Sequence, residues 1–369
     1  MLTPTYVIPT LPPKVNLETI PVLKALAVAN RALAELKGRA ATIPNPGILI
    51  DTLALQEALA SSEIENIVTT QDELFQVDDL PQAIASGAAK EVVRYRDALR
   101  LGYARLCETG DLIPNSVLID MFRLLKGRGD GFRVTPGTAL KNETTGGIVF
   151  VPPQDAGEIV VHMTALERFV NDDATADLDP LMKMALIHHQ FESIHPFPDG
   201  NGRIGRILNV LYLTRTGLLD IPILYLSRHI TRHKADYYRL LQAVRDTNGS
   251  AAAWEGWVLY MLQAVAETSA TTLHLVEGIR GQMAEVKHRM RGELPRIYSH
   301  ELLNNLFRHP YTRIEYVQKD LGVTRQTAAK YLDTLAEAGF LEKHHAGRSN
   351  YYVNAALVKL FLDVSEVGS

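Results

Sequence analysis

The sequence predicts a mainly α protein: a helical core interrupted by one short β-hairpin, followed by a small α+β module. Three observations lead there. Apolar residues recur at three- and four-residue spacing through most of 17–302, with little of the alternation that marks strands. The exception is Gly146-Gly147-Ile148-Val149-Phe150-Val151-Pro152-Pro153, a β-prone run between a glycine turn and two prolines, the composition of an edge strand or hairpin arm. From about Glu301 the texture changes to two short helical segments divided by Gly322 and then to β-prone pairs.

Taken in order, residues 1–17 are rich in proline and are expected to run extended over the surface. Residues 17–36 repeat at helical spacing, with Leu23, Leu26, Leu33 and Leu36 as anchors. Pro44 and Pro46 end that helix, and a second is expected over 48–62. A helix over 181–193 carries His188, His189 and Glu192. Adjacent histidines face different sides of a helix, and His-Glu-x-x-His is absent, which disfavours a metallohydrolase. Over 203–214, Ile204, Ile207, Leu208 and Leu211 define another amphipathic helix. In 316–332 a short helix, a glycine turn and a second helix capped by Thr324 are expected. Leu341-Glu342-Lys343 and Tyr351-Tyr352-Val353 then flank Gly347 as a hairpin.

With 369 residues, 46% of them hydrophobic, the chain can build two or three domains around real cores. A formal charge of −4 gives no general attraction to nucleic acid or anionic lipid. The single cysteine, Cys107, cannot form an internal disulfide. Residues 1–14 lack a basic start followed by an apolar stretch, and no apolar run approaches the roughly 20 residues of a membrane span. These features predict a soluble cytoplasmic protein with no membrane partner.

Chemistry concentrates in His195-Pro196-Phe197-Pro198-Asp199-Gly200-Asn201-Gly202-Arg203-Ile204-Gly205-Arg206. Gly200 and Gly202 permit tight or left-handed backbone, so amides around Asn201 can form a concave nest for an anion at a helix N-terminus. Arg203 and Arg206, three apart, are neighbours on the helix surface and can grip one polyphosphate. Asp199 offers a hard oxygen suited to Mg²⁺, and His195 a proton acceptor near neutral pH. No Gly-x-x-x-x-Gly-Lys-Ser/Thr occurs, which argues against P-loop kinases and GTPases.

This run resembles the signature of the Fic family, His-x-Phe-x-Asp/Glu-Gly-Asn-Gly-Arg-x-x-Arg, at every named position. The resemblance implies a Fic-type helical core and transfer of AMP from ATP to a Ser, Thr or Tyr hydroxyl of a target protein, or of the chain itself. It implies His195 as base, Asp199 with Mg²⁺, and Gly200, Asn201, Gly202, Arg203, Ile204, Gly205 and Arg206 around ATP. Tyr237 and Tyr238 resemble the wall on the adenine side, whereas Arg245 stands where some members have asparagine. Gly147, Ile148, Val149, Phe150 and Val151 resemble the flap, whose edge pairs with an extended segment of the target. Ser61-Ser62-Glu63-Ile64-Glu65-Asn66 fits the family's inhibitory pattern Ser/Thr-x-x-x-Glu-Gly/Asn, so Ser61, Glu65 and Asn66 are expected to form a brake, with Glu65 paired to Arg206. Relatives that phosphorylate carry a lysine within Gly-Asn-Gly; the retained Gly202 favours AMP.

The C-terminal segment looks like a winged helix of the kind found in bacterial transcription regulators, with Arg325, Gln326, Lys330 and Arg348 able to face DNA. Charges from Glu301 onward nearly cancel, which favours protein docking or dimerisation over DNA. The expected borders are an N-terminal extension over 1–49, an inhibitory helix region over 50–75, the catalytic core with its following helices over 76–295, and the winged helix over 296–369. Two alternatives stay open: a transcription regulator whose core senses nucleotide, and a bifunctional enzyme that also removes AMP. Family members often dimerise, so a homodimer is open as well.

Overall fold

The computed structural model describes residues 6–67, 86–141, 145–175, 177–346 and 349–366. Part of the expected inhibitory region, 68–75, and the expected wing residues Gly347 and Arg348 lie outside the described residues. In chain order the elements are α1 (Ile20–Ala40), α2 (Pro46–Ile64), α3 (Gly87–Glu108), α4 (Asn115–Lys126), β1 (Leu140–Lys141), β2 (Ile148–Phe150), α5 (Ala156–Asn171), α6 (Pro180–Ile194) and α7 (Asn201–Arg215). They continue with α8 (Ser227–Arg232), α9 (Lys234–Asp246), α10 (Ala251–Glu293), α11 (His300–Arg308), β3 (Tyr311–Thr312), α12 (Ile314–Leu321), α13 (Arg325–Glu337), β4 (Glu342–Ala346), β5 (Ser349–Val353) and α14 (Ala355–Glu366). The chain divides into two compact units, Met1–Ala34 with Leu55–Ser269, and Glu35–Ala54 with Ala270–Ser369.

The first unit is built around α6 and α7. Every residue of α6 from Leu181 to Ile194 is buried, as is nearly all of α7. Because both are enclosed, the polar residues they carry, among them His188, His189, Glu192, Arg203 and Arg206, are buried with the apolar ones and need partners inside the protein. Asp179 caps α6 by accepting from the Leu181 amide at 2.8 Å, and Pro180 at the first helical position loses no needed donor. Gly102 on α3 lets that helix close onto α4 and α7: a Cβ there would overlap the Met121 sulfur and lie 2.8 Å from Leu211 Cδ1.

β1 and β2 pair antiparallel, Leu140 with Phe150 and Lys141 with Ile148, with a register irregularity between Leu140 and Lys141. The β-prone run is therefore the hairpin arm its composition indicated. Ile148 and Val149 are exposed, while Phe150 and Val151 turn inward. Arg245 on α9 lies over the Phe150 ring at 3.9 Å, and Gln242 Nε2 donates to the Val149 carbonyl at 3.3 Å, so α9 backs the hairpin.

The second unit contains α11 to α14 and an antiparallel sheet of order β3-β5-β4, with α11 packed on β3 and α13 on β4. Gly322, at φ 66°, ends α12, and Thr324 Oγ1 accepts the Thr327 amide to start α13, the helix-turn-helix and cap expected from sequence. Among the described residues no helix is long and apolar enough to cross a membrane.

The close approach at Gly102 gives a direct test. Gly102→Val is expected to cost about 2 kcal/mol through overpacking, read as a lowered urea midpoint with an unchanged slope. An unshifted midpoint would show that α3, α4 and α7 are farther apart.

Candidate active site

His195 ends α6 in the left-handed region, at φ 51°, with its amide bonded to the Phe191 carbonyl at 2.9 Å. A non-glycine residue held there costs roughly 1 kcal/mol or more, so the surroundings must fix it. Arg133 does much of this. Its Nε donates to the His195 carbonyl at 2.8 Å, its amide donates to the Pro196 carbonyl at 2.8 Å, and its guanidinium also donates to the Pro153 carbonyl, tying the motif loop to the strand exit. Phe197 is buried and stacks on Phe122 with centroids 4.3 Å apart.

Asn201 closes the loop from the other side. Its Oδ1 accepts the Phe197 amide and its Nδ2 donates to the Phe197 carbonyl, both at 2.8 Å. The carboxamide expected to help cradle phosphates is thus engaged in shaping the loop. The backbone amides of α7's first turn lack intrahelical acceptors, as at any helix N-terminus. Gly200, at φ 77°, turns the chain into that helix.

Two charge clusters flank the nest. Arg203 Nη1 donates to Glu91 Oε1 at 2.8 Å; Lys126 Nζ reaches the same oxygen at 3.0 Å and Asp199 Oδ2 at 2.5 Å. Asp199 is more than half exposed, so its carboxylate is open to solvent on one side. On the other flank Arg206 is buried, with Nε donating to Ser61 Oγ at 2.8 Å and Nη2 donating to the Ser61 carbonyl and to Glu65 Oε1, each at 3.0 Å.

The C-terminus of α2 explains why a Ser-x-x-x-Glu-Asn pattern can do this. Ser61 and Glu65, four apart, share one face. Asn66 takes φ 59°, its amide bonds to Glu63 O, and the Ile67 amide bonds to Ser62 O, which is the Schellman closure of a helix end. Arg206 takes the Ser61 carbonyl, one of the acceptors this helix end leaves open. Gly202 provides the clearance, because a Cβ there would lie 2.6 Å from Glu65 Oε1 and 2.9 Å from Arg206 Nη1.

Residues 117–213, the stretch holding this site, match the Fic/DOC family; residues 23–104 match the Fic/DOC family N-terminal region, and 282–357 match the C-terminal domain described as protein adenylyltransferase SoFic-like. The chain belongs to the Fic/DOC family. It is 30% identical over 187 residues to a probable protein adenylyltransferase of Aquifex aeolicus, covering 49% of this chain and 54% of that protein. It is 27% identical over 186 residues to the protein adenylyltransferase Fic of Culex quinquefasciatus, covering 50% of this chain and 33% of that one. The chain therefore spans about half and a third of these two relatives. A Fic family protein from Desulfovibrio desulfuricans shares the fold at TM-score 0.52 and 22% identity, covering 95% of this chain and 98% of that one. A Fic domain containing signaling protein from Bacteroides thetaiotaomicron does so at TM-score 0.55 and 18% identity, covering 68% and 97%.

Within this Fic site the tyrosine pair is unequal. Tyr237 is 2% exposed, donates or accepts at His188 Nε2 over 2.8 Å, and packs against Trp257; Tyr238 is 46% exposed. Tyr237 is thus a core residue supporting α6, and Tyr238 is the member with an open face. Sequence reading also passed over Glu91, Lys126 and Arg133, which lie far from the motif in sequence and carry no local pattern. Glu57 had a signal, since Glu57, Ser61 and Glu65 fall at i, i+4 and i+8 of one helix.

Burial sets the protonation of this site. It lowers the His195 pKa to about 3, with Arg245 and Arg133 adding to the fall, so the imidazole is neutral at physiological pH. Burial raises Asp199, but the Lys126 hydrogen bond and charge outweigh it and keep the carboxyl ionised. Burial pushes Glu57 and Glu192 up to about 7. Glu57 accepts from Tyr95 Oη at 2.8 Å and from the Ser227 hydroxyl, fastening α2 to α3 and α8.

The Glu57 shift has a defined sign. A folded pKa near 7 against 4.5 for the unstructured group means the fold retains a proton that the unfolded chain releases. That contribution is full below about pH 4.5 and is lost as pH rises through 7. Glu57→Gln, which cannot ionise, is expected to gain stability over the parent between pH 5 and 8, by up to about 3 kcal/mol. Thermal melting across that range reads it, and a pH-independent difference would contradict it.

Proposed function

We propose that this chain is a protein adenylyltransferase, moving AMP from ATP to a Ser, Thr or Tyr hydroxyl of a target protein and restrained by its own Glu65. What carries the reading is Arg206: a buried guanidinium on the helix that follows the His195 loop, engaged by a carboxylate of the same chain. The names of the Aquifex and Culex relatives support it.

In this reading the polyphosphate lies against the amide end of α7, with Arg203 and Arg206 offsetting its charge. His195 takes the proton of the incoming hydroxyl as its oxygen bonds to the α-phosphorus. The bond from that phosphorus to the bridging oxygen breaks, and pyrophosphate leaves. Asp199 is the residue that would hold Mg²⁺: one accessible carboxylate, completed by substrate oxygens and water, is the donor set this ion favours. When bound, such an ion neutralises phosphate charge. Lys126, which pairs with Asp199 here, holds the carboxylate oriented.

Glu65 acts on reactivity through Arg206. With Nη2 engaged by Glu65 and Ser61, the guanidinium is not free for the terminal phosphate, so ATP can enter but is not aligned for in-line attack. The exposed Ile148 and Val149 give the hairpin an apolar edge along which an extended target segment can lie, its hydroxyl directed toward His195.

Glu65→Gly is expected to raise self-modification by α-labelled ATP by about tenfold or more, equivalent to at least ~1.4 kcal/mol of barrier. Adding His195→Ala should return label to background while calorimetric ATP binding stays near that of the single variant. Unchanged labelling in a folded Glu65→Gly protein would remove the brake; persistent labelling in the double variant would remove His195 as base.

A further inference from the structure

A second cluster of metal-binding side chains lies on α8 and α10, outside the motif. His229 on α8 is buried, with Nδ1 2.9 Å from Glu267 Oε2 on α10. His233, one helical turn on, brings its ring to 4.5 Å from that of His229, centroid to centroid. One ligating atom from each of the three falls within 4.8 Å of the others. Tyr260, also on α10, meets His229 edge-on at 5.2 Å, and Gln263 Nε2 donates to the second Glu267 oxygen at 2.7 Å. Gln263 orients the Glu267 carboxylate as the hydrogen-bonding outer partners of metal ligands do, and the Tyr260 ring packs against His229.

We propose that His229, His233 and Glu267 form a binding site for a zinc-class divalent cation, separate from the motif that handles nucleotide. The donor set decides the class. Two imidazoles and a carboxylate suit Zn²⁺ and its transition-metal neighbours, whereas Mg²⁺ prefers an all-oxygen shell. A tetrahedral ion with ligands at about 2.0–2.2 Å sets its donors roughly 3.4 Å apart, so the widest separation would close by up to about 1.4 Å while His229 Nδ1 and Glu267 Oε2, now 2.9 Å apart, would open slightly. Glu267 is exposed and His233 partly so, and their side chains can make that adjustment around the buried His229. Three protein ligands leave a fourth position for water on the exposed side.

The site's place in the fold gives it a consequence. Ser227 and Thr231 of α8 bond to Glu57 and to the Ala60 carbonyl on α2, the helix that carries Ser61 and Glu65. An ion joining α8 to α10 therefore braces the seat of that helix.

The test is equilibrium dialysis of the full chain against zinc chloride, with bound metal counted by mass spectrometry. Wild type is expected to bind one equivalent. His233→Ala and Glu267→Gln, both near the surface and so spared the folding risk of changing His229, should each weaken it by tenfold or more, while Asp199→Ala retains it. Zinc should also raise the melting temperature of wild type and not of His233→Ala. Absence of a bound equivalent in wild type, full binding by both ligand variants, or its loss in Asp199→Ala would overturn the proposal.

Discussion

The buried guanidinium of Arg206 is the constraint around which the site is arranged. A cation removed from water must be matched by opposite charge and by acceptors for its hydrogens, or it costs several kcal/mol. Here the match comes from α2: the Ser61 hydroxyl, the Ser61 carbonyl and the Glu65 carboxylate take Nε and Nη2. The Glu65 charge outweighs desolvation and holds Arg206 firmly protonated. In the proposed function a polyphosphate would be the other partner for the same group, and competition between the two would make the arrangement switchable.

That competition needs clearance and a firm base. Gly202 gives the clearance, since any side chain there would collide with Glu65 or Arg206. The base is α2 itself, closed by the left-handed Asn66 and fastened more than two turns earlier by Glu57 to Tyr95 and Ser227. Glu65 sits at the partly exposed end of that helix, beyond the anchored part. The strained His195 is fixed in a comparable way, by Arg133 and by the Phe197–Asn201 clamp.

What the sequence made legible was local. Twelve consecutive residues held the imidazole, the acid, the turn glycines and both arginines, and the six-residue pattern ending at Asn66 placed Glu65 four residues after Ser61. The pairing across 141 positions, Glu65 to Arg206, was available only through family resemblance, because nothing in either segment points to the other. Side-chain roles that depend on closure were harder. Asn201 reads as a phosphate ligand until the loop shows its carboxamide engaged with Phe197, and Tyr237 reads as a nucleotide wall until α6 and α10 enclose it. Glu91, Lys126 and Arg133 had no local signal at all, since each is an ordinary charged residue until the fold brings it to the loop.

The most direct measurement is a pair of crystal structures with ATP bound, one of the wild-type chain and one with Glu65 replaced by glycine. Arg206 is expected to keep its bond to Glu65 in the first and to turn to the terminal phosphate in the second, with the α-phosphorus moving into line with His195. An Arg206 that contacts the terminal phosphate equally in both, or neither, would contradict it.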